Sequence, residues 1–525
     1  MKAFALFASV TEVSGSVTAM FALVLVGLIV CLALEEKLHA KKSVIAGIFA
    51  IVSLILAACC QILPLPGVVV GSHELVEHNR VEGVFDHEQD EEHETVDIPK
   101  VGGEEEGTDG GADHDEVPVY IFGHQLSMPV YIPGIDWGVI AIILGSSLFV
   151  DVTSKSGLFT WIAVKVTKAS SGDPLLLLWS YGAMTVLFSA VLNNVTAMII
   201  VGSLTVVSLE KLGRRNQLLG FLLVEGLLTN IGGLLTLISS VPNIIVGNAA
   251  GISFLTFFVK AAPYVLVTTI VTLAMGAKLF KIRRLSTVEE KAEAKELVSS
   301  FDENDGIDSR AFFWFSTVML VLFILVIAGL SAFPPHIRQL GMGFVALAFA
   351  GVQLLRYKSE ADQFYKSVDW DLLGFFMALF VVIYVMEYAN VLHAIGDGLQ
   401  MVLSDIKAMP ASMADTTVLL VGAASFSSVT DNIPLAAMLS NILTNLNAPA
   451  VVNGSTESGL WWSVIFGANL GGNLTPIGSA STLVAVTIMH KHVLKVSFAG
   501  FVAKALPFAL VHIVLATIYV VLFLR

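Results

Sequence analysis

Two stretches of this chain interrupt long apolar segments in the same way. Thr229-Asn-Ile-Gly-Gly-Leu-Leu-Thr236 returns near the C-terminus as Ala468-Asn-Leu-Gly-Gly-Asn-Leu-Thr475. Each places an Asn, two glycines and a Thr where a bilayer demands an unbroken helix. Glycine loosens and exposes the backbone. Carbonyls and amides freed at membrane depth are tolerated only where protein or a water-lined cavity satisfies them. Paired breaks in corresponding places of two halves point to a membrane transporter with its site between them.

Composition agrees with that class. The chain has 525 residues, 55% apolar and 14% charged, which reads as a polytopic membrane protein rather than a string of soluble domains. The net charge of -14 is local: residues 71–116 carry 17 acids and two bases, and the remainder is near neutral. Cys31, Cys59 and Cys60 all lie in apolar spans, so neither a disulfide framework nor a cysteine metal site is expected. No cleavable leader is legible at the start.

The expected fold class is an all-α polytopic membrane protein of about 11 spans, built from two inverted repeats, each with a re-entrant hairpin and a broken transmembrane helix. Residues 1–70 supply two N-terminal spans. Residues 71–133 form an acidic extracytoplasmic loop holding His73, His78, His87, His93 and His114. Residues 134–277 form the first transport repeat, 278–311 a cytoplasmic linker, and 312–525 the second repeat. Basic clusters place Lys41, Lys42, Arg214, Arg215, Lys278, Arg283 and Lys491 in the cytoplasm. A short amphipathic helix is expected over Leu158–Ala169.

Pro174–Leu209 has Asn193 and Asn194 at its centre. Its second arm of 15 residues reaches only about 23 Å, short of a core of roughly 30 Å, so a re-entrant hairpin is expected, with two tight full spans as the alternative. Residues 416–446 repeat the pattern with Asp431 and Asn432 at the tip. Three landmarks recur at nearly constant offsets: Asp136 and Asp369 at 233, Asn193 and Asp431 at 238, Asn230 and Asn469 at 239.

A cation entering a membrane must exchange water for oxygen ligands. One half offers Asn193, Asn194, Thr196, Asn230, Gly232, Gly233, Thr236 and Asn243. The other offers Asp431, Asn432, Asn469, Gly471, Gly472, Asn473 and Thr475. Sodium is placed by this reading at Asn194, Asn230, Asp431, Asn432 and Asn469. Ionisable residues inside spans are functional candidates by default. Asp431, at a hairpin tip, and Glu225, five residues before Asn230, stand out, whereas Asp151 and Glu387 sit nearer span ends. A carboxylate that takes a proton or a cation in turn is the simplest antiport device. No Arg or Lys lies at either break or tip.

At these residues the sequence resembles the ion transporter superfamily. The similarity is to the branch of NhaD-type sodium/proton antiporters and ArsB-type arsenite permeases, with the melanosomal P protein and the citrate and dicarboxylate transporters as wider relatives. It is carried by Glu35-Glu-Lys-Leu-His39, Leu192-Asn-Asn-Val-Thr196, Glu225-Gly-Leu-Leu-Thr-Asn-Ile-Gly-Gly233, Pro242-Asn243, Asp431-Asn-Ile-Pro434 and Asn469-Leu-Gly-Gly-Asn-Leu-Thr-Pro-Ile-Gly478. The resemblance implies a homodimer and elevator-like transport. Two positions depart from the pattern: Asn193 stands where relatives carry Asp, and Ser239-Ser-Val-Pro-Asn243 lacks an acid found there in relatives.

The expected activity is sodium/proton exchange, with no cofactor beyond the transported sodium and protons, in the cell inner membrane. A sodium- or proton-coupled anion permease for arsenite, citrate or a dicarboxylate is the alternative. A third reading, a receptor using the acidic loop, would be lost on deleting residues 72–116, which a transporter should survive. No enzymatic motif is present.

Overall fold

The computed structural model describes residues 13–63, 131–132, 134–358, 361–430, 432–446, 448, 458–494 and 496–524. Asp431 and the acidic stretch 71–116, with its five histidines, lie outside the described residues. The helices are α1 (Gly15–Ala33), α2 (Glu35–Leu38), α3 (Lys42–Cys59), α4 (Trp137–Lys155), α5 (Leu158–Ala169), α6 (Pro174–Val191), α7 (Asn194–Lys211), α8 (Leu218–Gly232), α9 (Val241–Ala249), α10 (Phe254–Leu279) and α11 (Val288–Ser299). After these come α12 (Arg310–Gly329), α13 (Pro335–Arg338), α14 (Gly341–Arg356), α15 (Ala361–Ser367), α16 (Trp370–Tyr388), α17 (Val391–Val402), α18 (Met413–Ser427), α19 (Asn432–Asn445), α20 (Gly459–Gly471), α21 (Ala480–Lys491) and α22 (Phe498–Tyr519). Among the described residues nine helices are long and apolar enough to cross a bilayer; α14 and α18 are shorter apolar helices. The protein is a multi-pass integral membrane protein.

Apolar side chains stand outward on α1, α3 and α12, including Leu23, Ile55, Trp314 and Leu325. Such rows suit lipid, which no soluble surface would replace. The interior is the opposite: every residue of α20 and nearly every residue of α8 is buried. The two broken helices therefore form the axis of the molecule.

Contacts between helix ends define two faces. At one, here called the linker face, Glu303 pairs with Lys165 and Lys168, Arg214 approaches Glu290, and Arg215 donates to the carbonyl of His492. At the opposite face Asn248 donates to Asp136 and Ser404 to Asp415. Helix α4 runs from the opposite face to the linker face. Helix α16 starts at the linker face, where Asp371 accepts from Ser43. The elements that repeat are α4–α10 and α16–α22, in inverted sense, so α12–α14, counted from sequence in the second repeat as part of 312–525, precede its repeated elements. Local chemistry repeats with them. Asp136 caps α4 by accepting from the Val139 amide, as Asp369 caps α16 through Leu372. Ser253 and Ser497 cap α10 and α22 in the same manner, and each of those helices contains a proline, Pro263 and Pro507. The amphipathic helices α5 and α17 have 12 residues each and follow a left-handed residue, Gly157 or Asn390.

Both arms of the first hairpin, α6 and α7, have 18 residues. The second arm is thus longer than the 15 residues expected, because the helix continues through Glu210 and Lys211 at the linker face. By length alone both arms count among the nine candidate spans, and it is the meeting of their tip with the break of α8 that marks a re-entrant hairpin. Asp173 at the start of α6 accepts from the Leu285 amide in the linker, and the end of α7 lies beside His492, so both open ends share the linker face. The tip meets α8 where that helix breaks, while α9 continues to the far side. In the second hairpin α18 has 15 residues, about 22 Å, which cannot span the core.

Candidate functional site

Helix α8 ends at Gly232 because the backbone leaves helical hydrogen bonding there and resumes only at Val241. Helix α20 ends at Gly471 and resumes at Ala480. At both ends the glycine admits the neighbouring hairpin arm. A Cβ on Gly232 would lie 2.6 Å from the Val186 carbonyl oxygen, and one on Gly471 would lie 2.3 Å from that of Ala424. No side chain fits these contacts.

The freed backbone groups find side-chain partners in a pattern that repeats across the two halves. Ser189 donates to the Thr229 carbonyl and Ser427 to the Ala468 carbonyl, both at 2.6 Å. Thr236 donates to the Ala190 carbonyl at 2.6 Å and Thr475 to that of Ser428 at 2.5 Å. Asn243 donates to the carbonyls of Gly233 and Thr236, whereas Thr482, at the corresponding place, donates to the Ser479 carbonyl at 2.8 Å and lies 3.5 Å from those of Gly472 and Thr475. Ser239 adds a second donor to Gly233 and Thr236. Hairpin and break are stitched together within each half, as buried backbone polar groups require.

The halves are also joined to each other. Asn230 Nδ2 donates to Asn473 Oδ1 and to Ser479 Oγ, each at 2.9 Å. Asn469 Nδ2 donates to Asn243 Oδ1 at 2.9 Å, and Ser240 Oγ donates to Asn469 Oδ1 at 2.7 Å. Each break asparagine thus reaches into the other break. On the hairpin side, Asn194 Oδ1 lies 2.6 Å from Ser189 Oγ, whose one hydrogen it shares with the Thr229 carbonyl; its Nδ2 lies 3.4 Å from Asn230 Oδ1, and Ser481 donates to the same oxygen at 3.1 Å. Asn473 continues to His512 Nδ1 at 3.2 Å, whose Nε2 lies 2.8 Å from Thr272 Oγ1.

Of the residues singled out from sequence, Asn194, Asn230, Asn243, Asn469, Asn473, Thr236 and Thr475 meet in this network, with Gly232, Gly233, Gly471 and Gly472 forming its backbone. Gly233 packs against Asn194 and Gly472 against Ser479. Asn193 is exposed and caps α7, accepting from the Thr196 amide at 2.7 Å; Thr196 is brought in only through that amide. Asn432 opens α19 half-buried and outside the network. Glu225 also lies outside it, toward the linker face. It is wholly buried, its Oε1 accepts from Thr205 on α7 at 2.6 Å, and its Oε2 has no partner among the described residues.

Sequence reasoning missed Ser189, Ser240, Ser427, Ser479, Ser481, Thr205, Thr272 and His512. Ser240 and Ser479 stand at the same 239-residue offset as the break asparagines, a signal that was available. A cavity of about 580 Å³ opens elsewhere, at the opposite face, lined by Trp137, Asn248, Phe254, Arg338 and Phe344.

The network can present amide, hydroxyl and carbonyl oxygens to a small cation. The ends of α8 and α20 add negative partial charge, and the starts of α7, α9 and α21 add positive. No Lys or Arg occurs in 218–249 or 459–490.

Comparison with known proteins places this architecture. A 46 kDa membrane protein of Mycobacterium leprae is 30% identical over 387 residues, covering 74% of this chain and 86% of its own. An uncharacterized transporter of Mycobacterium tuberculosis is 32% identical over 391 residues, with the same coverage. The human P protein is 24% identical over 76% of this chain and 55% of its own length. The YdaH transporter of Alcanivorax borkumensis shares the fold at 12% identity, with a TM-score of 0.54 over 92% of this chain and 98% of that one. The family described as citrate transporter matches residues 118–467. The chain is a membrane transporter, not an enzyme, and it belongs to the citrate transporter family.

Proposed function

We propose that the protein exchanges sodium for protons by elevator-type alternating access, the cation sitting among the oxygens of the two breaks and Glu225 accepting the proton. The observation that carries this is Glu225 itself. Its carboxylate is wholly buried, has a single hydroxyl donor, and has no basic residue on its helix. An uncompensated charge there is costly, so a proton or a cation must neutralise it. Its one hydrogen-bond partner among the described residues is Thr205 Oγ1, and it stands apart from the oxygen-rich breaks that suit a hard cation. Proton at Glu225 and cation at the breaks is therefore the economical division. Asp431 supplies a second acid, at the tip of the second hairpin. The basic linker face is assigned to the cytoplasm, the membrane to the cell inner membrane, and the assembly to a homodimer.

A second reading, cation-coupled uptake of citrate or a similar carboxylate, is favoured by the description of the matching family and by the helix starts of α7, α9 and α21 at the breaks. One assay separates them. Purified protein in vesicles holding a proton gradient is challenged with sodium, lithium, potassium or choline chloride while a pH-sensitive dye reports. Dequenching by sodium, absent in Glu225→Gln, supports exchange. Silence toward every cation, with sodium-dependent uptake of labelled citrate, replaces it with the second reading.

A further inference from the structure

His512 is fully buried in α22 and was not among the residues singled out from sequence. It stands in a chain of hydrogen bonds whose direction can be worked out link by link. Thr272 on α10 donates its one hydroxyl hydrogen to the Thr268 carbonyl at 2.6 Å. Toward His512 Nε2 it therefore presents an acceptor, and Nε2 must carry the hydrogen. In the neutral ring Nδ1 is then bare and accepts from the Asn473 amide nitrogen. That choice turns Asn473 Oδ1 toward Asn230, which must answer with its Nδ2. Asn230 is left with Oδ1 directed at the first hairpin tip, where Ser481 and Asn194 approach it.

Reversing any link puts two donors or two acceptors face to face, unless the whole chain reverses and the Thr272–Thr268 bond is given up. Tyr264, the nearest other titratable group on α10, bonds the His512 backbone carbonyl at 3.0 Å and does not compete for the ring. Thr272, Thr268 and Asn473 are all fully buried, so water does not relax the constraint.

We propose that His512 is a positioning residue: held in one tautomer by Thr272, it fixes the Asn473 amide and thereby makes Asn230 present an oxygen, not an amide hydrogen, to the break site. The second half of the chain in this way sets the polarity of a ligand in the first. The effect on transport rests on the site proposed above; the tautomer lock does not.

Two readouts test it on the full-length protein. Nitrogen-15 NMR of histidine-labelled protein, with His512 identified among the 12 histidines by its loss in His512→Leu, reports the tautomer directly. Wild type should show the Nε2–H form alone. Thr272→Val, which keeps shape but removes the acceptor, should show a mixture, and Thr272→Ser should restore the single form. In transport, with whichever of sodium or citrate the wild type carries, Thr272→Val should raise half-saturation about tenfold, as mispaired buried polar groups do. Maximal rate should stay within about twofold, and Thr272→Ser should recover wild-type behaviour. A bare Nε2 in wild type, or a tautomer indifferent to Thr272→Val, overturns the lock. A shifted tautomer with unchanged half-saturation overturns the positioning role. A wild type that carries neither substrate defeats the functional reading instead, and the NMR result still decides the lock.

Discussion

The two repeats build the same backbone and fill it differently. Both have a span capped by Asp, a 12-residue amphipathic helix, a hairpin pressed on a broken helix through glycine, and a closing helix with an internal proline. In the register set by the break asparagines, Leu234 corresponds to Asn473 and Asn243 to Thr482. In the register set by Pro263 and Pro507, Thr268 corresponds to His512. The bridge from His512 to Asn473 thus has only Thr268 and Leu234 opposite it, which cannot make it. At the tips, Asn193 and Asn194 face Asp431 and Asn432 in the alignment. Backbone satisfaction is shared between the repeats, whereas charge at the tip and control of amide polarity are placed on the second. A buried carboxylate away from the breaks, Glu225, is placed on the first.

That comparison can be broken at several strengths. The largest effect belongs to the tip: Asp431→Asn makes the second tip match the first and should abolish ion exchange in the dye assay while the protein melts normally. Wild-type exchange by this variant removes the charge asymmetry from the mechanism. Glu225→Gln keeps shape and a hydrogen bond to Thr205, so it should fold and lose proton movement at least tenfold, the scale on which removal of a buried charged partner acts. Retention of proton-coupled exchange would separate Glu225 from coupling.

A smaller effect compares the glycines. Gly471→Ala and Gly232→Ala each drive a methyl into a hairpin carbonyl, at 2.3 and 2.6 Å, and should cost about 1–3 kcal/mol, Gly471 more than Gly232. Gly422→Ala, inside α18 with nothing within 4 Å, is the control and should leave the melting temperature unchanged or slightly raised, since alanine suits a helix better than glycine.

The smallest concerns the linker. Lys165 and Lys168 hold the Glu303 carboxyl at about 2, well below the ordinary carboxylate range. A group lowered on folding adds stability above its unfolded value and loses it as pH falls toward the folded one. Hydrogen exchange of residues 288–308 should therefore be insensitive to pH from 7 to about 5 once intrinsic rates are removed, and should quicken below about 4. Because exposed pairs contribute little, Glu303→Gln at neutral pH should quicken it only modestly; no change in either experiment would leave the linker held by packing alone.

The breaks, the hairpins and their inversion were legible in the sequence because each forces a visible offence against lipid: Asn with paired glycines in apolar runs, polar tips between apolar arms and, in the second hairpin, an arm too short to cross. The amphipathic helix expected over Leu158–Ala169 has those bounds in the structure. The end of α7 was not legible, since charge at Glu210 and Lys211 marks the membrane boundary and not the helix boundary. The partners of the site asparagines were hidden for a different reason. Asn230 with Asn473, and Asn469 with Asn243, are contacts across the pseudo-symmetry axis, and their pairing depends on how two helices are rotated against each other. Thr272 and His512 carry no motif at all: each is a single polar residue in an apolar helix, and only its neighbours give it meaning.

In the proposed function the crossed breaks form one transport site shared equally by the two halves. That sharing is tested most directly by sodium titrations of proton movement in Asn230→Ser and Asn469→Ser, each in vesicles and each shown to melt like wild type. Both should raise the sodium concentration for half-maximal response, by about tenfold and to a similar degree, since each removes one buried amide ligand. A large effect at one position with none at the other, or no shift at either, would contradict it.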